Sequence, residues 1–371
     1  MQASDLSWLN TQVLWASFIL SAVFGAIAQR THFCTMGAVS DVVNMGDWTR
    51  MRQWGLAMGV AMLGFAALAF TGLIDPAKTL YASNRLIWLS AMLGGAMFGF
   101  GMVLASGCGS KTLVRIGGGS LKSLVVFVVM AVAAFATLKG VTAVLRVASV
   151  DKVALDLAMG TSLPQWVAAA LGIKLPLAGL LLGGGLGSVL LLWALQGKGF
   201  RSADNLLAGF GLGAIIAAMW WVSGALGHVA EHPETLQEAF LATNSGRAEA
   251  LSFVSPVAYT LDWLMFFSDK NKLLTIGIVS VPGVVVGSAL CALAMRTFRW
   301  EGFGSVEDVA NHLAGATLMG VGGVTAMGCT VGQGLSGVST LSATSFIAVA
   351  AIIFGAVAAF KYQIWRIERF D

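Results

Sequence analysis

The chain has 371 residues, of which 57% are hydrophobic and only 11% are charged, and its mean hydropathy is +0.82. A soluble domain carries about a quarter of its residues as charged side chains, so this composition excludes an ordinary soluble protein and predicts a membrane protein. The net charge of +4 comes without any long basic run, which argues against a nucleic-acid partner.

Charge-free runs divide the chain into candidate membrane spans. They cover residues 6–29, 53–74, 86–110, 123–138, 175–197, 205–230, 273–295 and 309–360. A helix needs about 20 apolar residues to cross the hydrocarbon core, so the last run is long enough for two spans and the total is nine. The predicted fold is an all-α polytopic membrane protein with one transport domain over 1–371. Its halves are about 1–150 and 175–371, and 151–174 is an interfacial or linker segment.

The loop charges predict an orientation. Basic residues cluster after the first run and in the carboxyl-terminal tail: Arg30, Arg50, Arg52, Lys361, Arg366 and Arg369. Residues 229–250 are acidic by contrast. Because cytoplasmic loops are enriched in Lys and Arg, we expect an outer amino terminus and an inner carboxyl terminus. This assignment requires residues 251–267 to lie on or dip into the membrane. No cleavage site of small residues follows the first run, so we expect it to stay as a helix.

Parts of the sequence are repeated. AIAQRT at 26–31 matches ALAMRT at 292–297. When Cys108 is aligned with Cys329, five small or apolar residues also coincide: Gly94 with Gly315, Gly99 with Gly320, Gly101 with Gly322, Val103 with Val324 and Ala105 with Ala326. On the nine-span count the two units run in opposite directions through the membrane. Such inverted repeats place transporter sites near the membrane midplane.

Two glycine-cysteine pairs end apolar runs. Gly107-Cys108 precedes GSKTLVRIGGGSLKS, and Gly328-Cys329 precedes TVGQGLSGVSTLS. Irregular backbone cannot face lipid, so each segment must be buried in protein or line a wet cavity. A short re-entrant helix beginning near each cysteine would direct free N–H groups at the thiol, and such a helix end attracts anions.

Three cysteine segments resemble the signature segments of the YeeE/YedE family of bacterial inner-membrane sulfur transporters. They are ASGCGSKTLVRIGGGSLKSL at 105–124, AMGCTVGQGLSGVSTLS at 326–342 and QRTHFCTMG at 29–37. The resemblance implies an hourglass-shaped helical body with pseudo-inverted halves and half-helices, which imports thiosulfate or a related sulfur anion. It also implies that Cys34, Cys108 and Cys329 line the permeation path, and that a TusA-like cytosolic sulfur carrier receives the product.

The residue chemistry fits an anion path. A neutral thiol is a weak hydrogen-bond donor, and conduction requires sites that hold an ion without trapping it. Lys111 and Arg115 are candidates for collecting anions at one mouth, which would place Cys108 nearer that mouth than Cys329. We expect Gln333, like Ser336, to bond local backbone groups.

Other interpretations remain open at this stage. Cys291 lies in mid-span and is expected to be an apolar filler, and Cys34 could serve packing alone. A membrane sulfurtransferase would use Cys108 or Cys329 as a persulfide-forming nucleophile. In a channel or structural subunit for another solute, the cysteines would be incidental.

Cofactor and metal sites are not expected. His32 beside Cys34 falls short of a four-ligand metal site, and RIGGGSLKS lacks the Gly-Lys-Ser/Thr ending of a nucleotide loop. We therefore predict no catalytic residue and no cofactor. Six tryptophans near span ends predict interface belts in contact with membrane lipids: Trp48, Trp54, Trp88, Trp220, Trp221 and Trp365.

Overall fold

The protein is almost entirely helical. The computed structural model describes residues 3–233 and 235–370. Its α-helices are α1 Ala3–Arg30, α2 Thr35–Ser40, α3 Thr49–Phe70, α4 Trp88–Leu104, α5 Gly109–Gly117, α6 Leu121–Lys139, α7 Val141–Ala148, α8 Leu163–Leu171, α9 Leu175–Leu195, α10 Ala203–Leu206, α11 Leu212–Trp221, α12 Ser255–Met265, α13 Ile276–Ala294, α14 Val306–Thr325 and α15 Ala343–Phe370. Four π-helical turns occupy Asp41–Met45, Leu207–Gly211, Val222–Leu226 and Gly332–Gly337.

The strands are two residues long and lie in the loops. β1 Arg85–Leu86 pairs antiparallel with β2 Leu155–Asp156, and β3 His228–Val229 pairs antiparallel with β4 Ala239–Phe240. They tie neighbouring loops together and form no larger sheet within the described part of the chain.

Eight helical segments of the described chain are long and apolar enough to cross a membrane. They are Asp5–Met45, Thr49–Phe70, Trp88–Gly117, Leu121–Lys139, Leu175–Leu195, Ala203–Leu226, Ile276–Ala294 and Ala343–Arg369. The ninth predicted span corresponds to α14, which has 20 residues but carries Glu307 and Asp308 in its first turn and is more polar. The predicted all-α polytopic membrane fold is confirmed.

Helix ends meet at two opposite faces. At the first, which we call the Arg30 face, Arg30 at the end of α1 pairs with Asp204 in α10 at 3.0 Å. The second, the Tyr81 face, follows α3 and contains the 2.6 Å pair between Lys78 and Glu238. The 22 residues of α3 span about 33 Å at 1.5 Å per residue, so the two faces are a membrane thickness apart.

The predicted repeat corresponds to a pseudo-symmetric helix crossing between α4 and α14. A Cβ atom built on Gly94 would lie 2.7 Å from the Gly322 carbonyl, and one built on Gly315 would lie 2.6 Å from the Gly101 carbonyl. In the repeat, Gly94 aligns with Gly315 and Gly101 aligns with Gly322. In the structure, Gly94 instead contacts Gly322 and Gly101 contacts Gly315, so the two helices run antiparallel. Glycine permits this approach because no side chain separates the backbones.

Both crossing helices end in the same way. Ala105, Ser106 and Gly107 donate their N–H groups to the carbonyls of Gly101, Val103 and Met102, at 2.9, 3.2 and 2.8 Å. The corresponding bonds of Ala326, Met327 and Gly328 to Gly322, Val324 and Gly323 measure 2.8, 3.0 and 2.8 Å. Ser106 and Met327 adopt left-handed φ values of 56° and 57°. The chain therefore makes an equivalent turn before each cysteine.

One loop runs from the Tyr81 face into the centre of the protein. Ala248 forms a bridge with Thr79, whereas Leu251, Phe253 and Val254 are at most 1% exposed. A Cβ atom built on Gly109 would lie 3.3 Å from the Phe253 carbonyl. Residues 251–254, which the sequence places on or in the membrane, are thus packed inside the protein against the start of α5.

Candidate functional site

Cys108 lies at the start of the short helix α5. It is the N-cap residue, with extended backbone, and is fully buried. Its Sγ lies 3.3 Å from Ser110 Oγ, and Thr35 Oγ1 donates to it at 3.9 Å. The re-entrant helix predicted after Cys108 is therefore present, and the thiol lies at its amino-terminal end, where backbone N–H groups are free.

Cys34 joins Cys108 from the Arg30 face. It caps the six-residue helix α2, and its Sγ accepts a hydrogen bond from Gly37 N at 3.4 Å. The Cys34 and Cys108 thiols lie close enough to interact electrostatically, and neither cysteine is in a disulfide. Phe33, next to Cys34, stacks on Trp54 with ring centroids 4.6 Å apart.

Cys329 occupies the equivalent position in the second half. It is fully buried, and its Sγ accepts from Gly332 N at 3.4 Å. The helical segment that follows contains the π turn Gly332–Gly337. Gln333 Nε2 donates to the Ala326 carbonyl at 2.5 Å, as expected for a side chain that satisfies a local backbone group. This bond holds the turn around Gly328 closed.

Ser336 does not follow the same expectation. Its hydroxyl donates to the carbonyl of Leu251 at 2.7 Å, 85 residues away in the sequence. The prediction of a local partner was wrong because the loop that supplies Leu251 reaches the centre of the protein only in the folded state. This bond anchors the buried loop to the π turn after Cys329.

Thr330 connects the two cysteine turns. It follows Cys329 in the chain, and its hydroxyl faces the Cys108 thiol. Thr330 Oγ1 and Trp54 Nε1 are buried and have no conventional hydrogen-bond partner among the described residues. Both residues line a cavity of about 40 Å³ together with Thr35. The thiols of Cys34, Cys108 and Cys329 are thus arranged in that order from the Arg30 face, with unused donors beside them.

The cations beside Cys108 differ in their surroundings. Arg115 Nη1 donates to the carbonyl of Ser106 at 2.7 Å, so its guanidinium braces the turn that precedes Cys108. Lys111 is partly buried near Cys34 and Cys108, and its Cγ would lie 3.3 Å from a Cβ atom at Gly107. Lys111 is therefore a cation that the structure brings close to both thiols.

Sequence reasoning missed Tyr81 and the buried loop. Tyr81 is 7% exposed, and its hydroxyl donates to the Gly332 carbonyl at 2.5 Å. The backbone of Phe253 lies beside the Cys329 thiol. Thr330 gave only a weak signal, as the polar residue directly after a cysteine, and Tyr81 gave none because it lies in a loop remote in sequence.

Two other sequence predictions concern Cys291 and the tryptophans. Cys291, on α13, is partly exposed, with its Sγ 3.6 Å from Met295 Sδ. Of the tryptophans assigned to interface belts, Trp54 and Trp220 are instead at most 5% exposed. The Trp220 indole donates to Ser339 Oγ at 3.0 Å. Closeness to a span end did not distinguish a lipid-facing indole from a buried one.

Residues 3–233 and 235–370 contain no group of three or more His, Cys, Asp or Glu side chains placed to hold a metal ion.

The sequence matches known transporters over nearly its whole length. It is 26% identical over 353 residues to the thiosulfate transporter TsuA of Escherichia coli K12, which covers 92% of each chain. It is 24% identical to TsuA of Spirochaeta thermophila, over 92% of this chain and 97% of that protein. A shorter match, 27% identical over 110 residues, covers 30% of this chain and 26% of the probable transporter YedE of E. coli K12. A family model described as "Sulphur transport" matches residues 30–358, and the chain therefore belongs to the sulphur transport family.

Proposed function

We propose that this protein imports thiosulfate, or a closely related sulfur-containing anion, across the bacterial inner membrane. The observation that carries this proposal is the buried row of Cys34, Cys108 and Cys329 joined through Thr330. The relatives named as thiosulfate transporters, which align over 92% of the chain, support the substrate class.

The thiols would act as a relay of weak donors. Thiosulfate is a dianion with a terminal sulfur atom, and a neutral S–H group can donate to it without binding it as firmly as a cation would. The hydroxyl of Thr330 and the indole N–H of Trp54 add two donors that lack other partners. Because each site holds the anion weakly, it can pass from one to the next.

The orientation decides which thiol the anion meets first. With the amino terminus outside, the Arg30 face is cytoplasmic and the Tyr81 face is periplasmic. Arg30 at the end of α1 and Arg50 and Arg52 in the first turn of α3 support this assignment. The anion then meets Cys329 first and reaches Lys111 on the inner half of the path. The order expected from sequence, with Cys108 nearer the collecting mouth, requires the opposite orientation.

Uptake of radiolabelled thiosulfate by a strain without its own thiosulfate transporter tests the relay. We expect Cys108→Ala and Cys329→Ala each to lower the initial rate at least tenfold, and Cys108→Ser to retain part of it because a hydroxyl also donates. Cys291→Ala is the matched control, since this thiol lies away from the row, and it should transport normally. Uptake unchanged in both alanine variants of the row would overturn the proposal.

The same variants separate transport from sulfur transfer. In a sulfurtransferase, the thiolate of Cys108 or Cys329 would attack the outer sulfur of thiosulfate, break its S–S bond, release sulfite and retain that sulfur as a persulfide, whereas a relay leaves the protein unmodified. Intact-protein mass spectrometry after incubation with thiosulfate distinguishes the two, because a mass increase of one sulfur atom would favour the enzyme. Family resemblance further suggests a small TusA-like carrier as the cytosolic receiver, which co-elution of the purified pair would test.

A further inference from the structure

A larger cavity, with several polar and charged residues in its wall, opens at the Tyr81 face above the Cys329 turn. Its volume is about 330 Å³, against about 40 Å³ for the cavity beside Trp54. The floor is formed by Val324, Thr325 and Met327, the residues that lead directly into Gly328 and Cys329. A solute that reaches this floor is therefore separated from the Cys329 thiol only by the turn itself.

One cation lies in the wall of this cavity. Arg146 is held by Asp151 through a 3.0 Å contact between Nε and Oδ2, and both side chains are largely buried. Ser90 donates to the other oxygen of Asp151 at 2.7 Å. A guanidinium has five N–H donors, and the contact with Asp151 uses one nitrogen. Arg146 is thus fixed in position and keeps further donors for an anion.

A carboxyl group without a cation lies in the same wall. Glu249 is 9% exposed, and its two oxygens accept from Asn244 N at 3.3 Å and from Ser245 Oγ at 3.0 Å. Both partners are neutral. Arg247, two residues away, donates instead to the carbonyls of Ala82 and Thr79. The sequence assigned Glu249 to an acidic outer loop, but folding buries it beside the path.

We propose that this cavity is an anion-binding vestibule of the transport path, in which Arg146 pairs with a small dianion such as thiosulfate while Glu249 carries a proton. The inference rests on the proposed function and deepens it. An ionised Glu249 would repel a dianion at short range with little water to screen it, whereas a protonated carboxyl adds an O–H donor. The proton comes from the bulk water and converts the carboxylate to the acid with no other bond change.

The surroundings of Glu249 favour the protonated form near neutral pH. Burial raises the pKa of Glu249 to about 7, and the hydrogen bonds from Asn244 and Ser245 oppose this only in part. The other ionisable groups nearby are Tyr81 and Tyr259, whose own pKa values burial raises. They stay neutral in this range, and the charges of Arg146 and Asp151 offset each other.

The test is the apparent KM for thiosulfate uptake by cells or native membrane vesicles between pH 6 and pH 8. If only protonated Glu249 admits the anion, KM scales inversely with the protonated fraction and rises about tenfold over this range. Glu249→Gln mimics the neutral acid and should give the low KM at every pH. Arg146→Gln should raise KM throughout without removing the pH dependence. Glu231→Gln, an exposed acid of the same loop, should behave like the wild type.

Several results would overturn the vestibule while leaving the transporter intact. They are a wild-type KM that is independent of pH, a Glu249→Gln variant that keeps the pH dependence, or an Arg146→Gln variant with unchanged KM. Absence of thiosulfate uptake at every pH would instead remove the proposed function. If Glu249→Gln fails to fold, carbodiimide labelling of Glu249 in the wild-type protein replaces it. Labelling should fall with a midpoint near pH 7, and a midpoint below pH 5 would refute the inference.

Discussion

Substituting Gly94 or Gly315 tests whether the close crossing of α4 and α14 holds the fold together. A Cβ atom at Gly94 would lie 2.5 Å from Ala326 N, and one at Gly315 would lie 2.6 Å from Ala105 N. Nonbonded atoms prefer separations of about 3.5 Å, so each alanine must push the two backbones about 1 Å apart. Overpacking of this kind costs about 1–3 kcal/mol.

The cost should show as a lower free energy of unfolding in a denaturing-detergent titration of the purified protein. For 2 kcal/mol, the ratio of folded to unfolded protein falls about 30-fold. Gly185→Ala on α9 is the control, because a Cβ atom there meets nothing within 4 Å. It should be neutral or stabilise by about 0.5–1 kcal/mol, the usual gain for alanine over glycine in a helix.

The double variant is the sharper measurement. Once one alanine has separated the helices, the second finds part of the space already open, so the combined loss should be smaller than the sum of the single losses. A loss below about 0.5 kcal/mol in both single variants, which is the usual range for surface changes, would show that the crossing is loose. Strict additivity would show that the two contacts are independent rather than two ends of one interface.

Two further substitutions test contacts around the path. Gln333→Leu removes the hydrogen bond to the Ala326 carbonyl and leaves that buried acceptor unpaired. We expect the free energy of unfolding to fall by about 1–3 kcal/mol and uptake to slow, whereas the exposed Gln196→Leu serves as the control. Normal uptake by Gln333→Leu would show that the bond does not hold the turn. Lys78 and His228 lower the pKa of Glu238, so its stabilising contribution is present above the ordinary value of about 4.3 and is lost as the pH falls. The melting temperature of Glu238→Gln should therefore lie below that of the wild type at pH 7, and this deficit should shrink as the pH is lowered toward 3; a deficit that stays the same would refute this.

Local sequence was sufficient for the repeat and the cysteine turns. Gly94 and Gly315 stand out because their spacing to the following cysteine is the same, and a repeated backbone approach requires glycine in both copies. The turns were predicted because polar, glycine-rich backbone after an apolar run must be buried. Both features depend on residues close together in the chain, so periodicity and composition reveal them.

The region behind the Tyr81 face depends on contacts between residues far apart in sequence. Glu249 appears in the sequence as one of several acids in a loop, and only the bridge between Ala248 and Thr79 and the bond from Ser336 to Leu251 bring that loop inside. Tyr81 reaches Gly332 across 251 residues. Charge and hydropathy assign such residues to water, because neither property reports a tertiary partner.

The π turn explains how two related halves can carry different parts of one path. The cysteines are 221 positions apart, whereas Ser120 and Ser342, which precede α6 and α15, are 222 apart, so the second half contains one extra residue. That residue falls in the segment with the π turn Gly332–Gly337, the usual structural result of a single insertion in a helix. The turn presents the Gly332 carbonyl to Tyr81 and the Gln333 amide to Ala326, whereas the corresponding helix α5 presents Lys111 and Arg115. The segment that follows Cys329 therefore presents neutral groups, whereas the segment that follows Cys108 presents cations. In the proposed path this difference would draw an anion from Cys329 toward Cys108.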